Sequence, residues 1–355
     1  MQIKNFCCVN FRNISALEFE PDKKMNVIFG ENAHGKTNII EALWLFTGAK
    51  SFRNAKDSAF VKFGCEKGKT RADYEFRGVL NTAEMIFTDT RCAYFNSKKL
   101  SSASKLAGNF TAVVFSPSDL SLITDGPSCR RKFLDTAIGQ LYPNYIEILR
   151  SYSRAIIQRN RIIKEYKYDK TLSVMLDVFE KELASSGEKI INYRKEYIKT
   201  LETFVPEIYS GLSKGRENIT FKYILSCEKD LLSEKLRNSR NEDMYSGVTS
   251  VGPHRDELAF FLNGINVRNF GSQGQKRSVA LTLKLAQSEV IKQITGEKPI
   301  CLLDDVMSEL DLSRQNYILN HIKDMQSFIT CCDPNNTEQL KSGKIFKIKD
   351  GAIEI

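Results

Sequence analysis

One short segment of this 355-residue chain has residue types and a spacing that bind a polyphosphate. Residues Gly30-Glu31-Asn32-Ala33-His34-Gly35-Lys36-Thr37 fit the pattern G-x-x-x-x-G-K-[ST]. The glycines let the backbone wrap the phosphates without Cβ clashes, and the loop N–H groups point inward. The pattern predicts that Lys36 reaches the β- and γ-phosphates and that the Thr37 hydroxyl binds Mg²⁺.

The elements around this segment are those that such a loop needs. The apolar run Met25 to Phe29 precedes it and predicts a strand, and Asn38 to Phe46 follows it and predicts a helix. A helix that starts at the loop adds the positive end of its dipole to the anion site. The strand, loop and helix together favour nucleotide binding over a chance glycine-rich turn.

A second acidic motif lies far down the chain. The apolar run Ile300 to Leu303 predicts a strand, and it ends in Asp304 and Asp305. Beside a phosphate-binding loop, Asp304 would hold Mg²⁺ and Asp305 could polarise the attacking water. A buried strand can also end in acids for structural reasons. The long separation from Lys36 predicts an insertion between the two halves of the site.

A glycine-rich stretch precedes the acidic strand. Residues Ser272, Gln273, Gly274 and Gln275 open a predicted helix that runs to Ile294, which makes a second anion-binding helix N-terminus. An ordinary helix start capped by Ser272 is the alternative. The stretch resembles the Ser-x-Gly-Gln signature of ABC-type ATPases. That resemblance implies a role in trans, on the γ-phosphate held by the partner in a head-to-tail dimer.

Composition and charge narrow the class of protein. The chain is 42% hydrophobic and 27% charged, with a net charge of +9 that is concentrated between Arg130 and Arg240. A basic excess favours DNA as a partner, although a merely solvated helical surface is the alternative. The basic residues expected to contact DNA are Arg154, Arg159, Arg161, Lys164 and Lys167.

Nothing in the sequence predicts a membrane protein. No apolar run reaches the ~18 residues that a membrane span needs. The first residues lack the layout of a signal peptide, and the nine cysteines lack the spacing of metal ligands. We therefore expect reduced thiols and a cytoplasmic location.

The pattern of apolar residues predicts an α/β protein with a helical insertion. Strands are predicted early in the chain, among them Ile14 to Phe19, Tyr74 to Leu80 and Thr111 to Phe115. Helices are predicted from Arg131 to about Phe204, as either a short arm or a compact lobe. Strands return near the end, at Phe221 to Leu225, Ile300 to Leu303, Ser327 to Cys332 and Ile345 to Lys349.

Several motifs together resemble one family, the RecF family of SMC-related ATPases. The segments that carry the resemblance are Asn10 to Asn13, Gly30 to Asn38, Ser51 to Arg53, Phe115 to Leu120, Arg130 to Asp135, Gly252 to Asp256 and Phe270 to Gln275. The likeness extends from about residue 3 to Cys332.

The resemblance implies an architecture and a site. It implies an ABC-type ATPase head with a mixed sheet at residues 1–120 and 245–355, and an inserted, mostly helical lobe at residues 121–244. Gly30 to Asn38 would bind ATP, Thr37 and Asp304 would hold Mg²⁺, and Lys36 and Asp305 would be catalytic. Asp311 would be the D-loop residue along the dimer seam.

The resemblance also implies a function. Such a protein dimerises on binding ATP and binds gapped DNA or single-strand/double-strand junctions. It works with RecR and RecO proteins to load RecA, as a weak DNA-stimulated ATPase.

The sequence departs from the patterns of related ATPases at three points. Ser118 stands where the family commonly has Glu, and no His follows the last core strand in Thr330-Cys331-Cys332-Asp333. The residue after Asp304 is Asp rather than Glu. The last two departures predict slow hydrolysis, which suits a switch better than a pump.

Two other functions remain open from the sequence. One is the nucleotide-binding subunit of an ABC transporter, which the helical insertion and the basic middle third argue against. The other is an SMC-like defence ATPase with a nuclease role.

Overall fold

The computed structural model describes residues 1–166, 169–332 and 343–354, and the chain divides into two compact units. The first unit comprises Met1–Leu120, Glu207–Gly215 and Ser278–Ile355, and the second comprises Ser121–Pro206 and Arg216–Arg277. Two residues named above, Lys167 and Asp333, lie outside the described residues.

The first unit contains two six-stranded sheets. Its strands are β1 (Gln2–Phe11), β2 (Ile14–Phe19), β3 (Met25–Phe29), β4 (Gly68–Phe76), β5 (Val79–Phe87), β6 (Arg91–Phe95), β7 (Lys98–Lys99), β8 (Ala112–Phe115), β12 (Ile300–Asp304), β13 (Ser327–Cys331), β14 (Lys344–Lys349) and β15 (Ala352–Glu354). One sheet has the order β2-β1-β4-β5-β6-β7 and is antiparallel. The other has the order β15-β14-β3-β13-β12-β8 and is parallel except for its edge strand β15.

Helix α1 (Lys36–Leu45) contacts strands of both sheets, namely β12, β13, β8 and β1. Its Ile39, Leu43 and Trp44 belong to the hydrophobic core that these sheets enclose. Strand β12 is buried along its whole length, as expected for a parallel strand that is covered on both faces. The core therefore fixes the helix that follows the glycine-rich loop.

The predicted strands at Ile14 to Phe19 and Met25 to Phe29 are confirmed, and those near residues 300 and 327 are confirmed within one residue at either end. The prediction of one strand from Tyr74 to Leu80 is wrong, because the segment spans the hairpin turn between β4 and β5. Arg77 and Gly78 have φ angles of 52° and 72°, which reverse the chain.

The second unit is mostly helical. Its elements are α2 (Ser121–Thr124), α3 (Pro127–Leu141), α4 (Pro143–Tyr166), β9 (Ile219–Ile224), α6 (Leu232–Asn238), α7 (Arg240–Ser246), β10 (Glu257–Leu262), β11 (Ile265–Asn266) and α8 (Val267–Phe270), together with the first residues of α9 (Gln273–Thr295) and most of α5 (Ser173–Ser213). Helix α10 (Leu312–Ile322) belongs to the first unit. The second unit is compact, which favours a lobe over an extended arm.

The structure corrects one residue of the predicted DNA-binding surface. Arg159 is fully buried in the second unit, where its guanidinium donates to Glu180 Oε1 at 3.0 Å and to Asp243 Oδ2 at 2.6 Å. A buried guanidinium between two carboxylates is an internal ion pair, so Arg159 has no surface to offer a phosphate. Arg154, Arg161 and Lys164 are exposed on the same helix.

Two further findings concern the chain as a whole. None of the nine cysteines forms a disulfide bond, and the described residues include no helix long and apolar enough to cross a membrane.

Candidate functional site

The glycine-rich loop connects β3 to α1, and its two glycines are required by close contacts. Gly30 has a φ of 153°, and a Cβ there would lie 2.2 Å from the Ile348 carbonyl oxygen. Gly35 has a φ of 104°, and its Cβ would lie 2.7 Å from Asn13 Oδ1. Any side chain at these positions would displace backbone or a neighbouring side chain, so the loop keeps this shape only with glycine.

Lys36 points back into the loop from the first residue of α1. The side chain is buried, and its Nζ donates to the carbonyl oxygens of Gly30 at 2.5 Å and Glu31 at 2.9 Å. The helix has Gly35 at its N-cap and no side-chain cap. The ammonium group and the uncapped helix N-terminus are therefore directed toward the same loop, an arrangement that binds anions.

Residues outside the motif hold the loop in place through side-chain and backbone groups. Asn13 Nδ2 donates to the Ala33 carbonyl at 2.9 Å, and Asn38 Nδ2 donates to Asn13 Oδ1 at 2.8 Å. On the other side, the Asp350 N–H donates to His34 Nδ1 at 2.8 Å, between β14 and β15. The loop is thus fixed before any ligand contacts it, while the side chains of Glu31 and Asn32 face solvent.

The structure brings Asp304 to the start of α1, where the shared chemistry of the two motifs predicted it. Strand β12 ends at Asp304 on the same sheet edge as the loop, and Thr37 Oγ1 donates to Asp304 Oδ1 at 2.8 Å. Burial raises the pKa of Asp304, and hydrogen bonds from Thr37 and Thr330 oppose the shift. A hydroxyl and a buried carboxylate are oxygen ligands of the kind that Mg²⁺ prefers, so these residues fit that ion.

Asp305 lies beside this pair in an unusual backbone conformation. Its φ is 53°, and its N–H donates to Thr330 Oγ1 at 2.9 Å. Ser308 Oγ donates to the Asp305 carbonyl at 2.9 Å. A non-glycine residue in the left-handed region is strained, and such strain concentrates at functional sites. The carboxylate is only partly buried, so a water molecule can reach it.

Sequence reasoning missed Thr330, which joins the two acidic residues. Its hydroxyl accepts from the Asp305 N–H and donates to Asp304 Oδ1 at 3.0 Å. The only signal was a polar residue in the apolar strand Ser327 to Cys331, which does not identify a partner 26 residues away in the chain.

A buried carboxylate on α1 was also missed. Glu41 is fully buried and accepts from Arg12 Nε at 3.0 Å and from the Ser51 hydroxyl. Arg53 Nη1 lies 3.8 Å from the same carboxylate and donates to Asn38 Oδ1 at 3.1 Å. The segments Asn10 to Asn13 and Ser51 to Arg53 therefore meet at α1, which gives a physical reason for their place in the family pattern.

In the second unit, Ser272 precedes the first residue of α9 and forms a reciprocal cap with Gln275. The Gln275 N–H donates to Ser272 Oγ at 3.2 Å, and the Ser272 N–H donates to Gln275 Oε1 at 2.7 Å. Ser272 and Gln273 are exposed, and Gly274 and Gln275 are partly buried. Ser272 is a cap within its own chain. Its action on a partner's nucleotide stays a prediction.

Asp311 is the N-cap of α10 in the first unit. Its Oδ1 accepts from the Arg314 N–H at 3.0 Å, and this hydrogen bond holds the pKa of Asp311 below its usual value. The side chain is about half exposed, at 51%. The structure therefore leaves Asp311 accessible from outside the chain.

Comparisons with known proteins match this chain over almost its whole length. A family model described as the RecF/RecN/SMC N terminal domain matches residues 2–353. The DNA replication and repair protein RecF of Agathobacter rectalis is 36% identical and is aligned over 100% of this chain and 99% of its own length. The RecF of Clostridium kluyveri is 39% identical, with 99% of each chain aligned.

Solved structures also match this chain over almost its whole length. A structure of the recombination mediator protein RecF with ATP, in the RecFOR pathway, has a TM-score of 0.91 at 35% identity, over 99% of this chain and 97% of that one. The Smc head domain from Pyrococcus furiosus has a TM-score of 0.57 at 16% identity, over 99% of this chain and 95% of that one, and shows a likeness of fold alone.

Proposed function

Because this chain belongs to the RecF family of DNA replication and repair proteins, we propose that it is an ATP-dependent DNA-binding protein of recombinational repair. The observation that carries the proposal is the hydrogen bond between Thr37 and Asp304, which joins two motifs 267 residues apart. A phosphate-binding loop and an acidic strand end are the two halves of an ATPase site.

Each residue of the ATP site has a proposed role. The backbone of Gly30 to Asn38 cradles the phosphates, and Lys36 contacts the β- and γ-phosphates. Thr37 and Asp304 hold Mg²⁺, which neutralises charge on the phosphates when it is bound. Asp305 polarises the attacking water. Asp305 follows Asp304 on a strained turn, and a hydrogen bond to Thr330 fixes that turn. This position supports the role of Asp305.

The site is completed by a second copy of the chain. The segment Ser272 to Gln275, of which Ser272 and Gln273 are exposed, acts on the γ-phosphate held by the partner, and Asp311 lies along the dimer seam. In each subunit, Gly30 to Thr37 already cradle the phosphates of the nucleotide bound there. The γ-phosphate held by the partner is therefore the better target for Ser272 to Gln275. Only ATP carries that phosphate, so ATP and not ADP favours the dimer.

The proposed head comprises residues 1–120 and 245–355, and residues 121–244 form the inserted lobe. Residues 1–120 and 278–355 lie in one compact unit, which supports a discontinuous head. Residues 245–277 belong to the other unit by their contacts, so the boundary at residue 245 rests on the family resemblance.

In the cell, we propose that the ATP-bound dimer binds gapped DNA or a single-strand/double-strand junction in the cytoplasm. It works with RecR and RecO proteins to load RecA. The ATPase is weak, stimulated by DNA and acts as a switch, since Asp305 stands where fast transporter ATPases have Glu. A solved structure of RecF with ATP, described in the RecFOR pathway, supports these partners.

Gel filtration with ATP, ADP or no nucleotide, each with and without gapped DNA, tests this function. We expect a dimer that carries DNA only with ATP, because only ATP offers a γ-phosphate to the partner. Equal elution volumes in all three nucleotide conditions would contradict the proposal.

A salt titration of DNA affinity in ATP, with wild type and a charge-reversed variant, locates the DNA surface. Reversing the charge of the exposed residues Arg154, Arg161 and Lys164 should leave the ATP-dependent dimer intact and weaken DNA binding. The slope of log K against log salt should fall by ~0.9 for each DNA phosphate that the variant no longer neutralises. An unchanged slope would move the DNA-binding surface to the ATPase head.

A further inference from the structure

The side chain of Gln275 joins the start of α9 to a second residue that no motif includes. Its Oε1 accepts from the Ser272 N–H at 2.7 Å, and its Nε2 donates to Glu217 Oε1 at 2.5 Å. An amide has one accepting end and one donating end, whereas an ionised carboxylate only accepts. Glu217 therefore fixes which end of the amide faces Ser272.

The Ser272 hydroxyl can still donate one hydrogen bond to a group outside the chain. Its oxygen accepts from the Gln275 N–H at 3.2 Å, but among the described residues it donates to no acceptor. The side chain is exposed. Because a hydroxyl both donates and accepts, its proton is available to an acceptor beyond the chain, such as a phosphate oxygen.

The backbone that follows Glu217 is fixed by hydrogen bonds. The Asn218 N–H donates to Asn263 Oδ1 at 3.0 Å, and the Asn263 N–H donates to the Asn218 carbonyl at 2.9 Å. Strand β9 begins at Ile219, which pairs with Leu262 of β10. The carboxylate is thus attached to a sheet and not to a free loop.

We propose that Glu217 is a positioning residue for the site in trans. It holds the Gln275 amide so that the reciprocal cap closes and the Ser272 hydroxyl proton is directed at the partner subunit's γ-phosphate. The inference rests on the proposed trans role of Ser272 to Gln275. It adds a residue from the segment between α5 and β9, outside every motif of the ATPase.

Two variants at this position separate the hydrogen bond from the charge. Glu217→Ala removes the acceptor, whereas Glu217→Gln keeps a carbonyl oxygen that can accept from Gln275. The readouts are ATP binding by the monomer from fluorescent-nucleotide titration, the dimer dissociation constant in ATP from analytical ultracentrifugation, and the thermal unfolding midpoint.

We expect Glu217→Ala to raise the dimer dissociation constant in ATP at least about tenfold, the usual effect of one hydrogen bond to a charged group. Glu217→Gln should stay within about threefold of wild type, since it retains an acceptor. ATP binding by the monomer should be unchanged in both variants, because its phosphates lie in the loop of the first unit.

Three results would overturn the role of Glu217. They are wild-type dimerisation in Glu217→Ala, equally weakened dimers in both variants, and loss of monomer ATP binding in Glu217→Ala. A wild-type chain that does not dimerise with ATP is a different outcome, since it removes the proposed function itself. If Glu217→Ala unfolds, the test of the hydrogen-bond role rests on Glu217→Gln alone. A weakened dimer in that folded variant would contradict the role.

Discussion

Replacing Lys36 with methionine should abolish ATP turnover and weaken ATP binding at least about a hundredfold, as expected when two charge-assisted hydrogen bonds are removed. The side chain is buried in the loop, and its ammonium group lies within 2.9 Å of two loop carbonyls. Methionine fills a similar volume but cannot donate to a phosphate. Nucleotide titration and phosphate release measure the two effects.

Two control variants make this result specific. Lys50→Met removes an exposed lysine outside the loop and should leave both measurements unchanged. Lys36→Arg keeps the charge but not the compact ammonium group, so it should retain some binding and lose hydrolysis. Near-normal turnover in Lys36→Arg would refute the role of Lys36.

Replacing Asp305 with asparagine should lower turnover about a hundredfold or more while ATP binding persists, the effect typical of losing a general base. Asparagine has nearly the same shape and tolerates the left-handed conformation that Asp305 adopts, so the turn should be retained. Because ATP then stays bound, the dimer should live longer. Single-turnover kinetics and dimer dissociation rates test both effects.

Asp304→Asn is the matched comparison, one residue earlier. It removes the charge that would hold Mg²⁺, so Mg²⁺-dependent ATP binding and turnover should fall together. Asp305→Asn should leave the Mg²⁺ titration of ATP binding unchanged. Wild-type hydrolysis by Asp305→Asn would mean that another group polarises the water.

The sequence predicted the parts of the site that depend on local chain geometry. The loop from Gly30 to Thr37 follows a short apolar strand and starts a helix, and the structure has both elements. The acidic end of β12 was placed beside it by the chemistry that the two motifs share. Both predictions needed only residue type, spacing and the chemistry of an ATPase site, which combines a phosphate-binding loop with an acidic strand end.

The parts that the sequence did not predict depend on contacts between distant segments. Thr330 and Glu41 are ordinary polar residues in sequence, and their roles come from partners on other strands and loops. Arg159 was expected on the surface because a count of charges cannot detect burial. The carboxylates of Glu180 and Asp243, from two other helices, make its burial possible.

Each ATP site is proposed to be shared between two copies of the chain, and a mixture of two inactive variants gives the sharpest test of this sharing. Ser272→Arg should bind ATP as a monomer but neither dimerise nor hydrolyse, and Lys36→Met should not hydrolyse. A mixed dimer pairs the intact loop of the first with the intact Ser272 of the second, which leaves one complete site. We expect partial recovery of ATPase activity in the mixture. No recovery, together with loss of ATP binding by monomeric Ser272→Arg, would show that the segment from Ser272 to Gln275 serves the nucleotide of its own subunit, and would refute a shared site.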